Sequence, residues 1–174
     1  QRKLENYKLP AAILRTNHSL PEMVRPIFRD TTDLAGGVLE KTIKDALNSS
    51  KYLIVICSPR AAKSPWVCKE VQEFIDSGRE EYIIPFIIDG EPHSSNTDAE
   101  CFPKNLKELH GARELLGINI NELGRNAAVI KVVSRMFALQ FDTLWQRAKR
   151  EQKIKRLALI ITLILGIIIC LSIT

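Results

Sequence analysis

Apolar and polar positions alternate along this chain with two different periods. Tyr52-Leu-Ile-Val-Ile-Cys57 and Tyr82-Ile-Ile-Pro-Phe-Ile-Ile88 are nearly unbroken apolar runs rich in β-branched residues. Runs of that kind mark strands buried on both faces of a parallel sheet. Pro85 weakens the second run locally without changing its apolar character. Between and around the runs, apolar residues recur at helical spacing. Leu39, Ile43, Ala46 and Leu47 make one stripe, supported by a Glu40–Lys44 pair at i,i+4. Val67, Val71, Phe74 and Ile75 make a second, over about Pro65 to Ser77. Val129, Ile130, Val133 and Phe137 make a third, over Asn126 to Leu139. Val24 to Phe28 predicts a short strand that Pro26 confines to a sheet edge, and Leu115 to Ile120 predicts the last strand. Gln1 to Tyr7 reads as the end of a helix, broken at Pro10. Asn17, His18 and Pro21 lie in a polar connection. Asp89 to Pro103 reads as a polar loop, with no more than a short helix before Ala112. Asp142 is placed to cap a final helix carrying Leu144 and Trp145. Strands alternating with helices predict an α/β fold, a parallel sheet with helices on both faces.

The end of the chain departs from this pattern. Leu157 to Thr174 carries no charge and is apolar on every side. As a helix it spans about 27 Å, close to the roughly 30 Å core of a bilayer. A transmembrane helix over 157–174 is therefore expected in preference to a buried core helix. Arg147, Lys149, Arg150, Lys153, Lys155 and Arg156 precede it and carry much of the net charge of +5. A basic flank on that side places the preceding domain in the cytoplasm. Only Trp145 adds an aromatic to the basic cluster, so a membrane flank explains it better than nucleic-acid binding. The expected organisation is a domain over 1–140, a basic juxtamembrane helix over 141–156, and the membrane helix.

The length suits one domain of ordinary size. Cys57, Cys68, Cys101 and Cys170 form no close pair, which favours free thiols in a reducing compartment. No His lies at ligand spacing from a cysteine pair, so no metal site is expected.

Two segments carry candidate chemistry. The first is Arg25-Pro-Ile-Phe-Arg-Asp-Thr-Thr-Asp-Leu-Ala-Gly-Gly37. The second is Ser58-Pro-Arg-Ala-Ala-Lys-Ser-Pro-Trp-Val-Cys-Lys-Glu70. Both fall where loops leave the carboxyl ends of strands, the ligand-binding edge of such folds. With Val67 at zero on a helix of 100° per residue, Val71, Phe74 and Ile75 lie within about 80° and Glu70 at about −60°. Glu70 thus borders the buried stripe, and Trp66 stands one turn earlier on the same side. A carboxylate beside an aromatic wall suits cleavage of an N-glycosidic bond, where positive charge builds on the sugar. Taken on position alone, Glu70 reads equally as a solvated helix glutamate and Trp66 as a packing residue. Gly36-Gly37 before a helix suits either phosphate binding or a flexible turn. Arg29 and Asp30 suit a ligand-facing pair or a loop ion pair. Ser64 suits a ribose contact or, more simply, the cap of the helix that Pro65 opens.

These segments together resemble the Toll/interleukin-1 receptor (TIR) domain in its bacterial version. Arg29-Asp30, Asp33-Leu34 and Gly36-Gly37 resemble the loop after that family's second strand. Ser58-Pro59, Ser64-Pro65-Trp66 and Glu70 resemble its third strand end, the following loop and the start of the third helix. The resemblance covers about 1–147. It implies a flavodoxin-like, three-layer fold with five parallel strands, of which this chain lacks the first, central one. The chain accordingly reads as a fragment of a larger product. The resemblance also implies NAD⁺ as substrate, no cofactor, Glu70 as the catalytic carboxylate, and Trp66, Ser64, Arg29, Asp30, Gly36 and Gly37 around the substrate. Asp33 and Leu34 then belong to an interface, since the family's domains self-associate. Two functions follow as expectations: a membrane-tethered NAD⁺ hydrolase in bacterial defence or signalling, or a non-catalytic adaptor that binds other TIR domains. A phospho-receiver domain is a distant third, because the strand ending at Cys57-Ser58 offers no acidic pair and no acceptor aspartate.

Overall fold

The computed structural model describes residues 2–28, 37–112 and 117–173; side chains of 38–40, 110–112 and 169–173 also lie outside the description. Its elements are α1 (Arg2–Glu5), α2 (Ala11–Thr16), α3 (Gly37–Ser49), β1 (Leu53–Cys57), α4 (Pro59–Ala62), α5 (Pro65–Asp76), a 3₁₀ turn at Glu80–Tyr82, β2 (Ile83–Ile87), α6 (Lys104–Ala112), β3 (Ile118–Asn119), α7 (Ile120–Leu123), α8 (Arg125–Met136) and α9 (Phe141–Ile173).

Among the described residues the sheet has three strands in the order β1-β2-β3, all parallel. The two apolar runs form β1 and β2, paired from Leu53 opposite Ile83 to Cys57 opposite Ile87. The chain folds this way because side chains from both faces of these strands pack under helices, Ile56 of β1 excepted at 48% exposure. Val55 and Cys57 pack with Ile43 and Leu47 of α3, Val71 and Phe74 of α5 and Leu106 of α6. Ile54, Ile84 and Phe86 pack on the other side with Leu4 of α1, Ile130 and Val133 of α8 and Leu144 of α9. The result is a helix–sheet–helix sandwich of three layers.

Pro85 is accommodated by its register. The Ile88 N–H donates to Cys57 O at 3.0 Å. Even-numbered residues of β2 therefore turn their amides toward β1, and Pro85 turns its missing N–H toward β3. Pairing on that side begins only at Phe86, so the proline removes no ladder bond.

The predicted helices α3, α5 and α8 form with their apolar stripes inward, although Leu39 lies outside the described side chains. Several expectations are corrected. Val24 to Phe28 is not a strand: it joins no sheet, and the segment follows an isolated bridge between Lys8 and Met23. Its short apolar stretch has no paired edge beside it, and Pro26 supplies no donor. The connection before it contains the helix α2, while the short helix expected before Ala112 is α6, nine residues long. The Leu115 to Ile120 run yields only Ile118–Asn119 as strand among described residues. Asn119 then caps α7, accepting from Asn121 N–H at 3.0 Å. The last helix starts at Phe141, which puts Asp142 inside its first turn rather than at the cap. There its charge still complements the helix dipole.

α9 continues for 33 residues, roughly 50 Å at 1.5 Å per residue. Its first turns pack on α8 through Leu144, which is buried, and Trp145. From Leu157 to Ile168 every apolar side chain is exposed, so this part is not the buried core helix that the apolar run also allowed. Among the described residues, no helix is long and apolar enough to cross a membrane. The transmembrane helix expected over 157–174 therefore lacks support from the structure. Side chains of the run are described only from Leu157 to Ile168, 12 residues, against about 20 needed to span.

Candidate functional site

The site grows out of the carboxyl end of β1. The chain leaves the strand at Cys57 and turns through two short caps. Ser58 Oγ accepts from Ala61 N–H at 3.2 Å and starts α4. Ser64 Oγ accepts from Val67 N–H at 3.5 Å and starts α5, with Pro65 at the first helical position. Capping is thus the role the structure gives Ser64. Gly90, just after β2, closes against this turn. Its φ is +77°, and an added Cβ would stand 2.9 Å from Pro59 Cδ and 2.5 Å from Ala99 O. Only glycine lets the two loops approach so closely.

Glu70 lies in the second turn of α5, half-buried, beside the fully buried Val71. The border position read from the helical angle is the one observed. Glu70 lines a trough of about 560 Å³ that runs along the outer edge of β1. One wall is Leu53–Ile56 itself, and Ile27 and Phe28 also line it. Val67 and Val71 of α5 with Ile43 and Leu47 of α3 line it from one helical layer. Leu4 of α1 with Val129 and Val132 of α8 line it from the other. Among the described lining residues only Lys3 and Glu70 are charged. Lys3 Nζ donates to Asn126 Oδ1 at 2.9 Å, at the start of α8. A carboxylate beside a mostly apolar wall is an arrangement that can meet a developing cation.

Trp66 is 59% exposed and is not among the residues that line the trough. Lys69 Nζ stands 5.7 Å from its ring centroid. The described structure therefore gathers Glu70 and Ser64 at one loop and helix start, and leaves Trp66 on the outer surface. Arg29, Asp30, Asp33, Leu34 and Gly36 lie outside the described residues. Gly37 opens α3. No group of His, Cys, Asp and Glu suited to a metal ion occurs among the described residues. Cys57, Cys68 and Cys101 are free.

Sequence reasoning did not find Lys3 at this site, and it placed Ile27 and Phe28 in the first candidate segment without giving either a role. Nothing in the local pattern marks Lys3, which reaches the trough only through tertiary packing. It also missed Glu100, a buried carboxylate that fastens the loop after β2. Glu100 Oε1 accepts from Phe102 N–H at 2.8 Å and His93 N–H at 3.3 Å, and Oε2 pairs with Lys107 Nζ at 2.7 Å. Burial works to raise its carboxyl pKa, but the Lys107 contact and the two backbone donors outweigh that and hold it below the ordinary glutamate range.

A parallel sheet between two helical layers, with a carboxylate at the exit of one strand, defines an α/β domain whose binding edge is the carboxyl end of the sheet. A profile of the TIR domain matches residues 14–116, more than half of the chain. The chain belongs to the TIR domain family. A curated relative, the NAD(+) hydrolase ApTIR from Actinoplanes sp., is 36% identical over 66 residues, which are 37% of this chain and 9% of that protein. The matched part thus spans under a tenth of that relative's length. No solved structure matches the chain.

Proposed function

We propose that this TIR domain hydrolyses NAD⁺ at the bond between nicotinamide and ribose. The observation that carries the reading is Glu70, a half-buried carboxylate on an apolar wall where α5 leaves the sheet's carboxyl end. The similarity to ApTIR, named as an NAD(+) hydrolase, supports it. In NAD⁺ the nicotinamide is already cationic and leaves with little need of protonation. Loss of that group builds positive charge on the ribose. The Glu70 carboxylate stabilises this charge or attacks the sugar carbon, and water completes the hydrolysis. The products are nicotinamide and ADP-ribose or a cyclic relative. Arg29, Asp30, Gly36, Gly37 and Ser64 are proposed to surround the substrate, with Trp66 at its outer rim and Asp33 and Leu34 at a contact between neighbouring TIR domains.

Self-association and placement at a membrane belong to the same proposal. The exposed apolar residues from Leu157 to Ile168, behind the basic cluster, support a membrane-facing role for the end of α9, with the domain on the cytoplasmic side. Concentrating copies on a surface would favour their assembly.

The test is nicotinamide release by the full-length protein beside its Glu70→Ala and Glu70→Gln variants, at high concentration and on vesicles. Release that falls at least a hundredfold in both variants, with unfolding midpoints unchanged, is the expected result. Absence of release from every form, with association between TIR domains intact, would replace the enzyme with an adaptor in bacterial signalling or defence.

A further inference from the structure

We propose that the end of α9 stands upright in a lipid bilayer and that the cations ahead of its apolar run hold the headgroups of anionic phospholipids. The inference rests on the membrane placement proposed above and adds to it the lipid class and the orientation. It begins with the way charge is spread around the helix. Arg147, Lys149, Arg150, Lys153, Lys155 and Arg156 are all exposed, and Glu151 is the one acid among them. At 100° per residue these six leave no arc wider than about 100° without a cation. They form a collar rather than a stripe. Among the described residues none of the six is in an ion pair, and Lys149 Nζ stands 5.0 Å from the Trp145 ring centroid. The collar is therefore open to anions from every side.

The exposed run that follows has no polar side. From Leu157 to Ile168 its one polar side chain is Thr162, whose hydroxyl donates back to Ala158 O at 3.0 Å and Leu159 O at 2.8 Å. A helix lying in the plane of a membrane needs a polar face along its length. This stretch has none, so it leaves water along its axis. Polarity changes in one step, between Arg156 and Leu157, and that step sets the depth of the collar. Lys153, Lys155 and Arg156 lie within about 6 Å of Leu157 along the axis, roughly the thickness of one headgroup layer. Arg147 and Arg150 stand about 10–15 Å from it, beyond the roughly 8 Å over which a charged surface acts in physiological salt. The inner three cations therefore carry most of the headgroup contact. A second copy packed along this stretch would bring two collars of like charge together, whereas anionic headgroups neutralise them.

The probes are vesicles of phosphatidylcholine alone and vesicles in which about a third of the lipid is phosphatidylglycerol. The full-length protein carries Cys68→Ser and Cys170→Ser, with an environment-sensitive fluorophore attached through Ile161→Cys or Leu163→Cys. These two positions lie about 160° apart around α9. Both labels should shift to the blue, and the anionic vesicles should reach half-saturation at a lipid concentration at least tenfold lower. At roughly fivefold per cation at the surface, Lys153→Gln, Lys155→Gln and Arg156→Gln together should weaken anionic binding about a hundredfold. Arg147→Gln with Arg150→Gln should weaken it less than fivefold. Equal binding to the two vesicles, or equal losses in the two sets of variants, would overturn the headgroup collar and leave the membrane placement standing. A shift at one label only would lay the helix in the membrane plane and overturn the upright orientation. No shift on either vesicle would overturn this inference and the membrane placement together, and a stable dimer found then would assign the run to a second copy.

Discussion

Replacing Glu100 tests whether hydrogen bonds, more than charge, hold the loop after β2. Its side chain is 10% exposed and its two oxygens do different things. Oε1 receives the N–H groups of Phe102 and His93, and Oε2 receives Lys107. Glu100→Ala strands both backbone donors, of which the Phe102 N–H is buried. At about 1–3 kcal/mol for each orphaned buried donor, and with the His93 donor partly reached by water, the loss comes to about 2–4 kcal/mol. Glu100→Gln keeps an oxygen for both donors and loses only the ion pair. The Lys107 side chain is 38% exposed, so that loss is screened and amounts to about 1 kcal/mol. Urea unfolding at neutral pH should therefore rank wild type above Gln, and Gln well above Ala. The pH dependence follows from the sign of the shift. The folded carboxyl titrates below the ordinary glutamate range, so its contribution is present above the unfolded pKa and is lost as pH falls through the folded one. The gap between wild type and Glu100→Gln should hold near neutrality and close in acid. Equal losses for Gln and Ala, or a gap that widens in acid, would refute the reasoning.

Two further predictions concern the layer that carries Glu70. Arg79 Nη1 donates to Leu47 O at 2.9 Å and Ser50 O at 2.6 Å, and its guanidinium lies 4.2 Å from the Phe74 ring centroid. It closes the carboxyl end of α3 onto the end of α5, so Arg79→Met should cost about 2 kcal/mol in urea unfolding, and Arg79→Lys should recover only part of that because ammonium lacks the planar fork. Burial pushes the Cys57 thiol up to about 12 and the Cys101 thiol up to about 11. In a Cys170→Ser background at pH 8, a disulfide reagent should label Cys68 promptly and the other two only at the rate of unfolding; rapid labelling of all three in the folded protein would contradict the packing.

The fold was legible wherever one residue type had one possible environment. The run from Leu53 to Cys57 has no polar face, so it had to be covered on both sides, and α3, α5 and α8 showed which residues would do it. Segments whose structure depends on a neighbour were not legible. Val24 to Phe28 has strand-like composition, yet it meets no paired edge and stays irregular. Asn17 and Pro21 mark a connection without revealing α2 ahead of them. Asp142 is a good cap by type, but Phe141 packs near Trp145, with ring centroids 6.1 Å apart, and the helix begins at Phe141, two residues before the Thr143 that a cap at Asp142 would make first.

The site was legible only in part, and the reason lies in what a helical angle measures. Counting from Val67 fixes where Glu70 points relative to its own helix, and that held: it sits at the border of the buried stripe. The same count put Trp66 on the Glu70 side, where an indole could serve as a wall. At 100° per residue, however, Trp66 falls about 40° beyond Glu70 and about 100° from Val67. Val67, in the same first turn, lines the trough, while Trp66 is left to solvent and to Lys69. The angle around the helix, more than depth along it, thus separates Trp66 from Glu70. Where that angle falls depends on how α5 starts above β1, which Ser58, Ser64 and the close approach of Gly90 to Pro59 set together. Two of those three lie within the local motif. The third lies more than thirty residues away along the chain, in a loop whose own anchor, Glu100, gives no sign of its burial in the sequence around it.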